Sequence, residues 1–130
     1  HLGGGAAQPG PWTTVAISPD GADGPTMADA VRDLEIDAAL ILSICPETFS
    51  FTAHEAVAGG AAVVALADAA AVARLAADPA LGRVAADEDE LRAMLSSGAA
   101  AQLARAKRRP KLFDLAYSRV TADFLPGARP

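Results

Sequence analysis

Two short runs of small and branched apolar residues constrain most strongly how this chain folds. Residues 38–44 read AALILSI and residues 61–66 read AAVVAL. Neither run alternates with polar residues and both have the length of a strand, so each predicts a β-strand that is covered on both faces. Such strands are typical of parallel sheets, because the crossover connections of a parallel sheet place helices on its faces.

Helix signals stand between and beside these runs. Residues 50–58 have helical spacing and stop at Gly59 and Gly60, where a helix end favours glycine. Thr26, with Asp29 three residues later, predicts the start of an earlier helix. The remaining predictions are a strand over residues 12–18, a helix capped by Asp68, a strand over residues 82–86, a long helix from the acidic residues 87–90 to near Pro110, and a last helix over residues 111–125.

This alternation predicts one Rossmann-like α/β domain over residues 1–130. We expect a doubly wound parallel sheet of four or five strands with helices on both faces. Ligands of such sheets bind beyond the carboxyl ends of the strands. Residues 45–49, which follow the first buried strand, are therefore the first candidate for a functional site.

Composition and charge exclude several classes of function. The chain has 11 basic and 16 acidic residues and a net charge of -5, which argues against nucleic acid as a partner. We expect the one basic run, residues 105–109, to lie at the C-terminus of a helix, where its positive charge complements the negative end of the helix dipole. The single Cys45 and the separated His1 and His54 form neither a disulfide framework nor a metal-ligand spacing. No apolar run has the length of a membrane span, so we expect a soluble, cytoplasmic domain.

Two carboxylates bracket the candidate loop and the helix that follows it. If the helix begins near Ser50, Glu47 lies in the loop before it and Glu55 lies more than one turn inside it. The free N–H groups of the first helical turn then form an anion site between the two carboxylates. A ligand with hydroxyls at both ends and phosphate in the middle, such as a nucleotide-sugar, fits this layout.

The stretch over residues 38–66, AALILSICPETFSFTAHEAVAGGAAVVAL, resembles the signature of the glycosyltransferase group 1 family. That signature is a buried strand, a Pro-Glu-x-Phe loop, a helix with a second Glu, and a glycine before a Val-rich strand. The resemblance implies the GT-B arrangement of two Rossmann-like domains and a retaining reaction. This chain would then be part of the C-terminal, donor-binding domain, with residues 111–130 as its C-terminal helix and tail and with the N-terminal acceptor domain missing.

The same resemblance implies roles for individual residues. Glu47 is implied to be catalytic and to contact the donor sugar beside the reacting centre, and Glu55 is implied to accept hydrogen bonds from the ribose hydroxyls. No metal or other cofactor is implied. The residues of the loop and first helical turn that are implied to hold the sugar and the diphosphate are Thr48, Phe49, Ser50, Phe51 and Thr52.

Some of these side chains have simpler interpretations. We expect Phe49 and Phe51 to anchor the loop in the core rather than to stack on a nucleotide base. We expect His54 to be partly buried or on the surface, because neighbouring helical residues point about 100° apart and His54 therefore points away from Glu55. Trp12 is expected to pack on the edge of the sheet.

The resulting expectation is an enzyme that transfers a hexose from a UDP-, GDP- or ADP-sugar to a carbohydrate or lipid-linked acceptor, in cell-surface polysaccharide synthesis. The isolated chain would be inactive, because half of the cleft is missing, and it could self-associate through exposed apolar surface. The alternative is a non-catalytic Rossmann-like module that binds a nucleotide or a protein. The alternative is favoured by residues 67–70, ADAA, which replace the family's Gly-rich loop, and by the absence of the family's diphosphate-clamping Arg and Lys. A nucleotide-sugar epimerase ranks below both, because it would lack the Pro-Glu-x-Phe loop.

Overall fold

The computed structural model describes residue 2, residues 10–43, residues 45–99 and residue 102. Helices and strands alternate along these residues. In chain order they are α1 (Met27–Asp33), β1 (Ala38–Leu40), α2 (Phe51–Gly59), β2 (Ala62–Leu66), α3 (Ala71–Ala76), β3 (Gly82–Ala85) and α4 (Glu88–Ser96).

The strands form one parallel sheet in the order β1-β2-β3. Val63 of β2 lies opposite Ala39 of β1 on one side and opposite Gly82 of β3 on the other. Because α2 connects β1 to β2 and α3 connects β2 to β3, the sheet consists of two successive β-α-β units. The prediction of a parallel α/β sheet flanked by helices is confirmed. The described residues contain three strands, however, where four or five were predicted.

Side chains of the central strand alternate between two cores, as the pleat requires. Val63 and Ala65 pack in a cluster with residues of α1, α2 and α3, whereas Ala62 and Val64 pack in a second cluster with Leu91 of α4. Helices therefore cover both faces of the sheet. Small residues let these layers approach closely, and no fully buried side chain of the described residues is larger than valine.

The contact between α1 and α2 shows how close this approach is. Gly59, at the end of α2, is buried against α1. A Cβ atom built on Gly59 would lie 2.6 Å from Cβ of Val31 and 2.7 Å from the carbonyl oxygen of Ala28. The absence of a side chain at residue 59 thus lets the backbone of α2 rest directly on α1, and this contact positions the helix that follows the candidate loop.

The helix ends agree with the local signals in most cases. Thr26 is the N-cap of α1, and its Oγ1 accepts a hydrogen bond of 3.2 Å from the N–H of Asp29. Gly60 ends α2 in the left-handed conformation with φ of 103°. Asp87 caps α4 by accepting a 2.8 Å bond from the N–H of Glu90. These three boundaries were predicted from residues within one turn of them.

The predicted cap of α3 is wrong. Asp68 lies in a turn, in which the N–H of Ala69 donates to the carbonyl oxygen of Leu66, so the helix begins later in the chain. Its N-cap is Ala70, which makes no side-chain cap bond and has φ of 48° and ψ of -105°. A non-glycine residue rarely adopts such a conformation, because its Cβ crowds the backbone.

Two other elements differ from the predictions. Over residues 12–18 the structure has only an isolated parallel bridge between Val15 and Leu2, because the preference for a strand is decided by neighbouring strands rather than by the β-branched run itself. Trp12 is 62% exposed and lines a cavity together with residues of the edge strand β1. The helix predicted to reach Pro110 is interrupted, because α4 ends at Ser96 and Gly98 follows with φ of 75°. Residues 99 and 102 are helical again, and residues 103–110 lie outside the described part of the chain.

The predictions for residues 105–109 and 111–130 lie outside the described residues. Within the described part of the chain, none of the helices is both long enough and apolar enough to cross a membrane.

Candidate functional site

A cavity of about 1210 Å³ opens along β1, the edge strand of the described sheet. Its walls are mainly apolar side chains of β1, α1 and residues 12–15. At the carboxyl end of β1 the lining becomes more polar, and this end is formed by Ser43, Cys45, Glu47, Ser50 and Thr52. The candidate loop therefore closes one end of an open, largely apolar cavity.

Glu47 is the one charged residue that lines this cavity among the described residues. Its side chain is half-buried, and its carboxylate accepts a hydrogen bond from the hydroxyl of Ser43, four residues earlier. Its own carbonyl oxygen accepts a 3.0 Å bond from the N–H of Ala71, the first residue of α3. The Glu47 carboxylate is thus oriented by the end of β1, and its main chain is attached to the start of α3.

The N-terminus of α2 lies beside Glu47 in the same cavity. Ser50 is the N-cap and is buried, and its hydroxyl oxygen accepts a 3.4 Å bond from the N–H of Ala53. In the described part of the chain no group accepts a hydrogen bond from the N–H of Phe51 or Thr52, as expected for the first two residues of a helix. These N–H groups carry the positive end of the helix dipole and favour an anion.

An aromatic cluster lies at this helix start. Phe49 stacks on His54 with ring centroids 4.4 Å apart and 13° between the planes, and it meets Phe51 at 4.9 Å and 71°. The Nδ1–H of His54 donates a 2.7 Å bond to the carbonyl oxygen of Ser50, which fixes the ring of His54 over the first turn. The half-buried position of His54 agrees with the expectation for that residue.

The prediction that Phe49 and Phe51 are core anchors is wrong. Phe49 is 39% exposed and Phe51 is 68% exposed. The space beneath α2 is already filled by Ala53, Ala56 and Val57, which face the sheet and α1. Helical periodicity could have shown this, because Phe51 lies two residues before Ala53 and therefore points about 200° away from it.

The structure brings together only part of the predicted set. Glu47, Phe49, Ser50, Phe51 and Thr52 line the cavity, whereas Thr48 and Glu55 do not. Glu55 follows Phe51 by four residues, so it lies on the same stripe of α2 one turn further along. The functional roles of all seven residues stay predictions.

Ser43 is a site residue that the sequence analysis missed. A signal for it was present, because it is the single polar residue of the apolar run 38–44 and comes just before the loop. No set of three or more His, Cys, Asp or Glu side chains within the described ranges is arranged to hold a metal ion.

Comparison of this chain with protein-family models, with curated proteins and with solved structures yields no match. The signature residues and the geometry of the cavity are therefore the features that indicate a function.

Proposed function

We propose that this chain is the partial C-terminal, donor-binding domain of a retaining group 1 glycosyltransferase of GT-B architecture, and that its cavity binds a nucleotide-sugar. One observation carries this proposal. Glu47, Phe51 and Thr52 line one cavity that extends along β1 to its carboxyl end, and within the described residues the N–H groups of Phe51 and Thr52 have no acceptor. In α/β sheets, ligands bind at that end of the strands.

The chemistry of the two groups suits the two parts of the donor. The carboxylate of Glu47 accepts hydrogen bonds from hydroxyls of the hexose, and Ser43 holds it in one orientation. The N–H groups at the start of α2 bind the diphosphate. When the bond between sugar and phosphate breaks, negative charge develops on the departing diphosphate, and these preorganised donors stabilise that charge more than they stabilise the bound donor.

Glu55 is assigned to the ribose in this proposal. It lies one helical turn beyond Phe51 and outside the cavity, so the nucleoside would extend past the cavity along α2. The acceptor, a carbohydrate or a lipid-linked sugar, would bind to a second domain. The parent enzyme would work in the cytoplasm, in the synthesis of cell-surface polysaccharide, with a UDP-, GDP- or ADP-hexose as its donor.

The first test is a titration of the 130-residue chain with UDP-, GDP- and ADP-glucose, followed by amide NMR. We expect shifts at residues 47–55 and millimolar affinity for at least one of the three. Glu47→Gln is expected to weaken that binding about 10-fold or more, because a hydrogen bond to a charged group is worth about 1.5–3 kcal/mol. Glu88→Gln is the matched control, since Glu88 is exposed on α4, which packs on the other side of the sheet.

Two results would count against the donor site. One is the absence of any shift at residues 47–55 with all three sugars. The other is equal affinity of the Glu47→Gln and Glu88→Gln chains.

A non-catalytic nucleotide-binding module is the second candidate. It is favoured by Ala70, because a strained alanine stands in the loop that faces Glu47, where glycine would let the backbone approach a ligand. Such a module is expected to bind UDP, GDP or ADP as tightly as the corresponding nucleotide-sugar, and its affinity would not depend on Glu47. The same titration, performed with each nucleotide and with its nucleotide-sugar, distinguishes the two candidates.

A further inference from the structure

Phe51 is the most exposed large apolar side chain of the described residues, at 68%. Scattered exposed apolar residues are ordinary on protein surfaces. Phe51 differs from a scattered residue because it lines the same cavity as the Glu47 carboxylate. Its ring is thus an open apolar surface at a cavity that also contains a group able to accept hydrogen bonds.

The ring of Phe51 is held in place although most of it is exposed. It meets Phe49 at a centroid distance of 4.9 Å, Phe49 stacks on His54, and His54 is hydrogen-bonded to the carbonyl oxygen of Ser50. This series of contacts connects the ring to the first turn of α2. A ring that is already positioned loses little conformational freedom when a ligand covers it.

The surroundings of the ring favour one kind of ligand group. A hexose has an apolar face of C–H groups and a rim of hydroxyls, so it can cover an aromatic ring while its hydroxyls bind a carboxylate. Phe51 supplies the aromatic ring, and Glu47 with Ser43 supplies the polar partners. A nucleobase is also flat, but in the proposed function it extends past Glu55, which lies outside this cavity.

We propose that Phe51 stacks on the apolar face of the donor hexose and thereby determines how strongly the site prefers a nucleotide-sugar over the bare nucleotide. This inference rests on the proposed function and names the part of the donor that Phe51 recognises. It predicts that loss of the ring reduces the contribution of the hexose to affinity and leaves the contribution of the nucleotide unchanged.

The experiment measures dissociation constants of the full 130-residue chain for three pairs of ligands, UDP with UDP-glucose, GDP with GDP-mannose, and ADP with ADP-glucose. For the pair that binds, we expect Phe51→Leu to weaken the nucleotide-sugar about 2- to 10-fold and to leave the nucleotide unchanged, as loss of an aromatic stacking contact would. Phe51→Trp keeps a flat aromatic surface and is expected to retain the preference for the nucleotide-sugar.

Leu95→Ala is the matched control, because Leu95 is also an exposed apolar side chain but does not line the cavity. It lies on α4 and is expected to leave both constants unchanged. The amide spectrum of each variant without ligand shows whether the fold is preserved.

Three outcomes would overturn the inference, and they differ in what they say about the proposed function. If Phe51→Leu weakens nucleotide and nucleotide-sugar equally, the ring does not recognise the hexose. If Glu47→Gln lowers the affinity for the nucleotide-sugar but Phe51→Leu does not, the donor site is supported and only the role of Phe51 is excluded. If the unmodified chain binds none of the six ligands, the proposed function and this inference both fail.

Discussion

Replacing Gly59 by alanine tests the close contact that positions α2. The new Cβ would lie 2.6 Å from Cβ and 2.7 Å from Cγ1 of Val31, and 2.7 Å from the carbonyl oxygen of Ala28. Carbon atoms in contact are about 3.5–4.0 Å apart. Neither the Cβ of Val31 nor a helix carbonyl can rotate away, so α1 and α2 would have to separate by about 1 Å.

The expected change in stability is the sum of two opposing effects. Alanine is favoured over glycine in a helix by about 1 kcal/mol. Overpacking of a well-packed core costs about 1–3 kcal/mol, and a clash with atoms that cannot rotate falls at the upper end of that range. We therefore expect Gly59→Ala to lower the free energy of unfolding by about 1–2 kcal/mol.

The assay is urea unfolding of the chain, followed by circular dichroism. The expected loss corresponds to a shift of the midpoint by roughly 0.5–1 M, with an unchanged slope. Gly24→Ala is the control, because its Cβ would meet only the Cβ of Ser18 at 3.9 Å, an ordinary contact. A Gly59→Ala chain as stable as the Gly24→Ala chain would refute the close packing of α1 on α2.

Two further predictions concern stability. Ala70→Gly is expected to raise the free energy of unfolding by about 1 kcal/mol in the same urea assay. The reason is that relief of about 1–3 kcal/mol of backbone strain outweighs the larger conformational freedom of glycine in the unfolded chain. A fall in the free energy of unfolding would contradict the strained conformation. The hydroxyl of Thr26 and the guanidinium of Arg32 hold the pKa of Asp29 below its ordinary value of 3.8, so its contribution to stability is present above that pH and is lost as the pH falls through the lowered pKa. Melting temperatures between pH 2 and 7 are therefore expected to fall less steeply at the acid end for Asp29→Asn than for the unmodified chain, and equal slopes would exclude this role.

The sequence predicted those parts of the fold that depend on nearby residues. The cap at Thr26, the glycine stop after α2 and the acidic start of α4 each depend on hydrogen bonds within a turn or so. The run 61–66 predicted β2, which is buried, because a strand covered on both faces has no polar alternation. The run 38–44 predicted a buried strand, but the structure has a strand only over Ala38–Leu40, and its residues are half-buried or exposed. Local patterns were sufficient where the physical cause is local.

Predictions failed where distant residues decide. The run 12–18 has the composition of a strand, but the described structure gives it only the bridge between Val15 and Leu2. The exposure of Phe51 follows from the small residues that already fill the space under α2, and the motif did not reveal it although the helical period places Phe51 on the opposite side of α2 from Ala53. In the candidate site, Glu47 was predicted from the motif, whereas its hydrogen bond to Ser43 depends on how the chain turns after β1.

The hydrogen bond between the carbonyl oxygen of Glu47 and the N–H of Ala71 has a mechanical consequence. It connects two loops that follow different strands, so a force that displaces one of them is transmitted to the other. A ligand that draws the Glu47 loop inward would therefore also pull on the first turn of α3. The rate at which the Ala71 amide exchanges its hydrogen with solvent would then report on occupancy of the cavity from a position that need not contact the ligand.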